Sequence, residues 1–414
     1  MQHLGQRKGN ESVVVTGIGL HSCLGTGLEE VSESLRVGRS GIVNDPTRLE
    51  HGFRSALTGR LPELPAGLLN RKMRRTMCEP AQFGYAAAVA AIRDAGLEDS
   101  QIRNDRCGLI FGNDTTVGAS VEAVDIARET GMTHFMGSGH IFRSMNSTVS
   151  MNLASILGVR GANWTLSAAC ASGAHAVGQA AAMIRAGLQD TVLAGGAQET
   201  NWQSMASFDA LGVFSMRQDD PASACRPFDR HRDGLVPSGG SACLVLERED
   251  LARRRGAHIY ARLRGYGFAS DGNRHLSSPS TDAAARVMRN ALADAGVAAD
   301  EIEYANAHAT GTPIGDRAEA GGIAEVLGGD VPVSSTKSLT GHECWAAGAT
   351  ELIYTILMAR DGFLAGNANF TELDEDGPRI NVIGQSREQS IRMALSNSFG
   401  FGGTNAALIL EFGM

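Results

Sequence analysis

The chain reads as a layered α/β protein built from two similar halves, and three features lead to that reading. Short apolar runs alternate with alanine-rich helical stretches, the pattern expected of sheets covered by helices. The order of elements in the first half returns after Tyr260. Fifty-one glycines among 414 residues point to tight turns and close backbone packing.

The elements follow in order. "SVVVTGIGL" has the look of a buried strand ending in a glycine turn, and a helix follows near Leu28 to Val37. Gly17 and Gly19 could open a dinucleotide fingerprint, but its third glycine position is Ser22, and a strand and turn explain them. "RCGLIFGND", "TVLAGGAQE", "SACLVLERE" and "HIYARLRGYGFASD" are short apolar strands, separated by helical stretches such as "FGYAAAVAAIRDAGL" and "ASGAHAVGQAAAMIRAGL". In the second half "DAAARVMRNALADAGV", "IEYANAHATGT" and "VPVSSTKSLTGHECWAAGATELIYTILMARDG" repeat that order. The join is expected near Glu247 to Ala257, dividing the chain into halves at 13–250 and 251–414. No Pro/Ser linker separates them, so they should share one core.

Bulk properties narrow the function. A composition of 43% hydrophobic and 5% aromatic residues is that of a soluble globular protein, and a formal charge of -8 argues against broad nucleic-acid binding. Any basic patch must be local, and "LLNRKMRRTM" supplies one, with Arg71, Lys72, Arg74 and Arg75. The seven cysteines form no CxxC pair and no His/Cys spacing suited to a metal, so neither a disulfide framework nor a metal site is expected. The opening "MQHLGQRKGNES" is polar, and no apolar run approaches ~18 residues, so we expect a cytoplasmic protein with reduced thiols and no membrane association.

Chemistry concentrates in four places. In "TLSAACASGAHA" Cys170 precedes an alanine-rich helix; at such a helix's first turn, free N–H groups and the dipole are expected to lower the thiol pKa. Cys23, Cys78, Cys107, Cys225 and Cys243 read as core filler. In "NAHATGTPIGD" His308 leaves a strand's carboxyl end into a loop with Thr310 and Thr312. "STKSLTGHECWAAG" offers Lys337 and His342 together. In "SNSFGFGGTN" glycines around Phe399 and Phe401 permit backbone N–H groups to approach a ligand.

At these residues, and over nearly the whole chain from "VVVTGIGL" through "RPFDRHRDG" to "NSFGFGGTNAALIL", the sequence resembles the β-ketoacyl-acyl carrier protein synthases, condensing enzymes of the thiolase fold. Within that family "FDALGVFS", "AHIYARLRGYG" and "DGFLAGNANFTELDED" look closer to the bacterial type I synthases. The resemblance implies a thiolase-like αβαβα architecture and a reaction. Cys170 would accept an acyl chain as a thioester, and malonyl carrier protein would lose CO2 and attack it, lengthening the chain by a two-carbon unit. His308 and His342 would stabilise the enolate oxygen, and the N–H groups of Cys170 and Phe401 would form the oxyanion hole. Lys337 would support the site electrostatically together with Glu319; Thr310 and Thr312 would bind the phosphopantetheine arm; Phe401 would gate the acyl pocket, with Phe399 and Gly402 beside it. The resemblance needs neither metal nor organic cofactor. Its partner is acyl- and malonyl-loaded acyl carrier protein, for which the Arg71, Lys72, Arg74 and Arg75 cluster is the candidate dock. Members are usually homodimers, and pairing with a chain-length subunit is a variant.

The sequence also departs from the family pattern. Ala309, Gly311, Leu235, Glu343, Cys344 and Trp345 replace common residues, and Thr115 falls where pocket depth is tuned, so it is expected to limit chain length. Lys337 with His342 opposes a degradative thiolase and a Cys-His-Asn initiating synthase, and Cys170 opposes a non-catalytic partner subunit. A type II polyketide or polyene ketosynthase, with the same catalytic set, is the remaining alternative.

Overall fold

The computed structural model describes residues 11–413 except 273, 274 and 278; most of the polar opening stretch therefore lies outside the described residues. The first half gives the main sheet five strands: β1 (Val13–His21), β2 (Cys107–Gly112), β3 (Asn163–Leu166), β4 (Thr191–Gln198) and β5 (Gly240–Arg248). They lie in the order β3-β2-β4-β5-β1. The second half contributes β6 (Ala261–Ala269), β7 (Tyr304–Asn306), β8 (Pro332–Ser334), β9 (Met393–Gly400) and β10 (Thr404–Glu411), in the order β8-β7-β9-β10-β6. Pairing directions repeat as well. β2 runs parallel to β3 and β4, as β7 does to β8 and β9, whereas β5 and β10 are antiparallel to both their neighbours. The short strand Asn381–Val382 extends the second run past β8. The two runs meet through Val14 opposite Arg262 and Val15 opposite Ala261, between β1 and β6. The chain crosses from one run to the other through the short helix Glu249–Arg254.

Five helices complete the layers. α1 (Glu79–Asp94) covers one face of the first run and α2 (Ser172–Arg185) the other, while α3 (Thr281–Ala295) and α4 (Pro313–Val326) cover the outer face of the second run. α5 (Ala347–Asp361) lies beside α2 between the runs, buried from Ala347 to Met358. The sequence-based order α, β, α, β, α is the observed one. The helix expected at Leu28 to Val37 spans those residues.

The glycines of β1 are a packing device rather than a nucleotide turn. A Cβ on Gly17 would stand 2.4 Å from the carbonyl oxygen of Ala91 in α1, and one on Gly19 2.3 Å from that of Ala87. The second half repeats this: a Cβ on Gly265 or Gly267 would come within 2.3 Å of carbonyl oxygens in α3. Bare backbone on these strands lets each outer helix settle against its sheet. Among the described residues no helix is long and apolar enough to cross a membrane, and all seven cysteines are free.

Candidate active site

Cys170 sits in a single 3₁₀ turn, Ala169–Ala171, between β3 and α2. Ala169 takes a left-handed φ of 46°, a conformation that costs a non-glycine residue energy and so needs support. Ser172 supplies it: its hydroxyl accepts the Ala168 N–H at 2.8 Å and donates to the Ala169 carbonyl at 2.6 Å. Thr404 Oγ1 donates to the Ala168 carbonyl at 2.7 Å, tying the turn to the glycine loop after β9. The backbone N–H groups of Cys170 and Phe401 favour the ionised form of the thiol. The expectation of a lowered thiol pKa does not hold, however. Burial pushes Cys170 up to about 12, outweighing the opposing pull of Lys337 and the two N–H groups, so the resting residue is a neutral thiol. Cys78, Cys107, Cys225 and Cys243 are buried, as filler should be, and Cys23 is half-buried.

His308 leaves β7 on a loop clamped by two carboxylates of α4. Glu319 accepts the N–H groups of His308 at 2.9 Å and Ala309 at 2.7 Å, and the Asn397 side-chain amide at 3.0 Å. Asp316 accepts the N–H groups of Thr310, Gly311 and Phe228. This i, i+3 acidic pair, far from being an exposed helix face, is about 1% exposed. Burial raises Glu319 to about 7 and Asp316 to about 6 against the pull of those donors.

His342 is fixed by its backbone, its N–H donating to Val236 at 2.7 Å and its carbonyl accepting from Ser238 at 2.9 Å. Its ring meets that of His308 edge to face, centroids 5.2 Å apart. Both ring nitrogens of His342 and Nδ1 of His308 are buried without a partner. Burial holds both imidazoles well below the ordinary histidine pKa and Lys337 adds to the effect, so both are neutral. Lys337 is expected to act with Glu319, but its ammonium is bonded instead to Glu351 of α5, both fully buried. The reason is geometric: the Glu319 oxygens are already taken by two backbone N–H groups and Asn397, leaving Lys337 to reach Glu319 only through space.

A cavity of about 350 Å³ opens from the surface onto this cluster and is lined by Cys170, His308, His342, Thr310, Thr312, Phe399 and Phe401 among others. Thr310 and Thr312 share a hydroxyl contact of 3.1 Å, and Thr312 is the N-cap residue immediately before α4. Phe401 is 39% exposed at the mouth, its ring 6.3 Å from that of Phe208. Gly402 has φ 75°, and its N–H reaches the Leu276 carbonyl rather than the cavity. Thr115 does not line the cavity either; its hydroxyl accepts from Trp345 Nε1 at 3.3 Å. Arg71, Lys72, Arg74 and Arg75 are exposed, the first three on the helix Arg71–Arg74, and none makes an ion pair with the described residues. Sequence reasoning missed Glu351, Asn397 and the clamping role of Asp316.

A signature described as "Beta-ketoacyl synthase, N-terminal domain" matches residues 10–252, and one described as "Beta-ketoacyl synthase, C-terminal domain" matches residues 260–371. The chain belongs to the β-ketoacyl synthase family and has that family's thiolase-like fold. It is 41% identical to the 3-oxoacyl-[acyl-carrier-protein] synthase 1 of Haemophilus influenzae over 402 residues, which cover 96% of this chain and 98% of that one. A β-ketoacyl synthase crystal structure from Burkholderia phymatum superposes with TM-score 0.92 at 35% identity, covering 98% of this chain and 100% of the other. A type II polyketide ketosynthase, solved with its acyl-carrier protein and bound to the hexaketide, gives TM-score 0.89 at 29% identity, covering 98% and 100%.

Proposed function

We propose that the cavity carries out the condensation of fatty acid elongation with the residues in the following roles. The reaction is an acyl transfer: a chain held on a cysteine joins the two-carbon unit left when malonyl carrier protein loses CO2, giving a β-ketoacyl carrier protein. Cys170 is the acyl acceptor. As its neutral resting thiol attacks the incoming thioester, the N–H groups of Cys170 and Phe401 receive the resulting oxyanion. That oxyanion collapses to expel the carrier's pantetheine thiolate, and the leaving group takes up the proton Cys170 has lost. His308 and His342 donate to the enolate oxygen from neutral rings, so no proton has to leave them first. Glu319 positions His308, and Lys337 with Glu351 sets the field beneath both rings. Thr310 and Thr312 bind the pantetheine arm, Phe399 and Phe401 border it, and Phe401 gates the site.

The observation that carries this reading is the meeting at one cavity with Cys170 of two buried, neutral imidazoles that carry buried ring nitrogens without partners. Replacing Cys170 with Gln should abolish condensation and retain malonyl decarboxylation. His342→Ala should still form acyl-Cys170, seen by intact mass, but lose CO2 release by a factor on the order of 100. Normal condensation by Cys170→Gln, or parental decarboxylation by His342→Ala, refutes the roles.

The remaining assignments are of the same kind. The halves at 13–250 and 251–414 each supply part of the site, the first the thiol and the second the imidazoles. Acyl carrier protein, the partner named for several relatives, docks at Arg71, Lys72, Arg74 and Arg75. β3 leaves one edge of the sheet open with Trp164 about half exposed, a surface suited to a second copy of the chain, so the working form is a homodimer. Seven free thiols suit the reducing cytoplasm. The polyketide ketosynthase reading is kept second because that structural match extends over 98% of the chain.

A further inference from the structure

We propose that Trp345 sets the acyl-chain limit, closing the apolar space behind Cys170 so that the acyl-enzyme accommodates only short chains. The proposal rests on Cys170 as the acyl acceptor and deepens that reading to a substrate class.

The cavity that reaches Cys170 from the surface is bordered on this side by Phe208, Val213 and Leu235. Behind the thiol lies an apolar cluster of Phe53, Met205, Phe214, Leu235, Cys344 and Trp345, with Cys170 itself a member. None of Phe53, Met205, Phe214, Cys344 or Trp345 borders the cavity, so this is filled volume rather than a tunnel. Trp345 is the largest side chain in it and is 5% exposed. Two contacts hold the indole where it is, and the second is itself backed by a further ring. Its Nε1 donates to Thr115 Oγ1 at 3.3 Å, and its ring lies 6.1 Å from that of Phe208, which lies 6.4 Å from that of Phe214. Its backbone is equally constrained. A Cβ on Gly173 of α2 would stand 3.0 Å from the Trp345 carbonyl oxygen, and one on Gly196 of β4 2.7 Å from it. The preceding Cys344 is turned by a left-handed φ of 41°.

An acyl chain leaving the Cys170 sulfur away from the cavity mouth therefore meets the aromatic group of Trp345 and Phe208 after a few carbons. To go further it must rotate the indole out of its packing and strip Nε1 of its acceptor, leaving a buried donor unpaired. The backbone cannot yield, because α2 and β4 lie against the Trp345 carbonyl. Thr115 thus bears on chain length through its hydroxyl, as the acceptor that fixes the indole, and not as a wall of the pocket.

The test uses the full-length protein and acyl carrier protein loaded with butyryl, hexanoyl, octanoyl, dodecanoyl or palmitoyl chains, following acyl-Cys170 by intact mass. The wild type should acylate with butyryl and hexanoyl chains and be slower by at least about tenfold with palmitoyl. Trp345→Ala should raise the palmitoyl rate relative to hexanoyl by about tenfold or more. Trp345→Phe, which keeps an aromatic filler and decides the matter if the alanine variant does not fold, should shift the optimum by an intermediate amount, toward octanoyl. A wild type that takes palmitoyl as readily as hexanoyl, or Trp345 variants with the parental profile, overturns the proposal. Absence of acyl-Cys170 with every chain instead overturns the assignment of Cys170.

Discussion

Replacing Glu319 by Gln tests how the His308 loop is held. The carboxylate accepts three donors: the N–H groups of His308 and Ala309 and the amide of Asn397. A glutamine at the same place keeps one oxygen, and its NH2 then faces one of those N–H groups, donor against donor. Hydrogen bonds to a charged acceptor contribute about 1.5–3 kcal/mol each, so one broken bond and the resulting clash should displace His308 at a cost of about 2 kcal/mol in transition-state stabilisation. That corresponds to about 30-fold in decarboxylation rate. Acylation of Cys170, which does not use His308, should stay within about threefold. The pH profile adds a second readout. Because burial raises Glu319 to about 7, it takes up a proton as pH falls through that value and comes to resemble the variant. Wild-type decarboxylation should fall toward the Glu319→Gln rate between pH 8 and pH 6, more steeply than the variant's, the imidazoles being neutral throughout. A CO2 release assay and intact-mass acylation separate the two half-reactions. Equal losses in both, or a parental decarboxylation rate, would refute the positioning role.

Other outcomes follow from the same structure. Asp316, Glu319, Glu343 and Glu351 are raised by burial to about 6, 7, 7 and 7. Raised folded values mean that the native state keeps protons the unfolded chain has already lost, so the Tm should decline from pH 5 to pH 7, and Glu319→Gln should flatten that slope. Gly19→Ala and Gly267→Ala each drive a Cβ into helix backbone and should lower stability by about 2–3 kcal/mol in denaturant titrations; a change under about 0.5 kcal/mol would mean that the helices can shift. Arg71→Glu with Arg75→Glu should raise the Michaelis constant for carrier protein and weaken its salt dependence, and an unchanged salt response would put the dock elsewhere.

Much of this was legible in the sequence, for identifiable reasons. Strands such as "TVLAGGAQE" are apolar throughout because helices cover both their faces, and Cys170, His308 and His342 sit in turns whose small residues stand out from the pattern. Glu351 was not read because its tie to Lys337 spans a loop and a helix; the available signal was a lone carboxylate in the apolar stretch "AAGATELIYTILMA". Asn397 lay inside a quoted motif, but only the fold aims its amide at Glu319. The Thr115 and Trp345 contact joins residues 230 positions apart, beyond any local pattern. The Cys170 proton affinity was misjudged because a helix terminus can be read from sequence, whereas the depth at which the thiol lies cannot.

The repeated topology has an electrostatic consequence. Cys170 precedes α2 as His342 precedes α5: each comes after a parallel strand of its half, β3 or β8, and leads into the buried central helix. A short 3₁₀ turn begins each helix, and the two turns, Ala169–Ala171 and Cys344–Ala346, touch. Duplication has thus brought like ends of two helix dipoles together, an arrangement that two unrelated helices would tend to avoid. The resulting positive potential is built into the backbone, needs no movement to act and lies where an oxyanion or enolate gathers negative charge. It also opposes a second positive charge at the same place, in keeping with imidazoles that stay unprotonated beside a buried lysine. Each half on its own would hold only one of these poles, so the anion-stabilising field belongs to the pair.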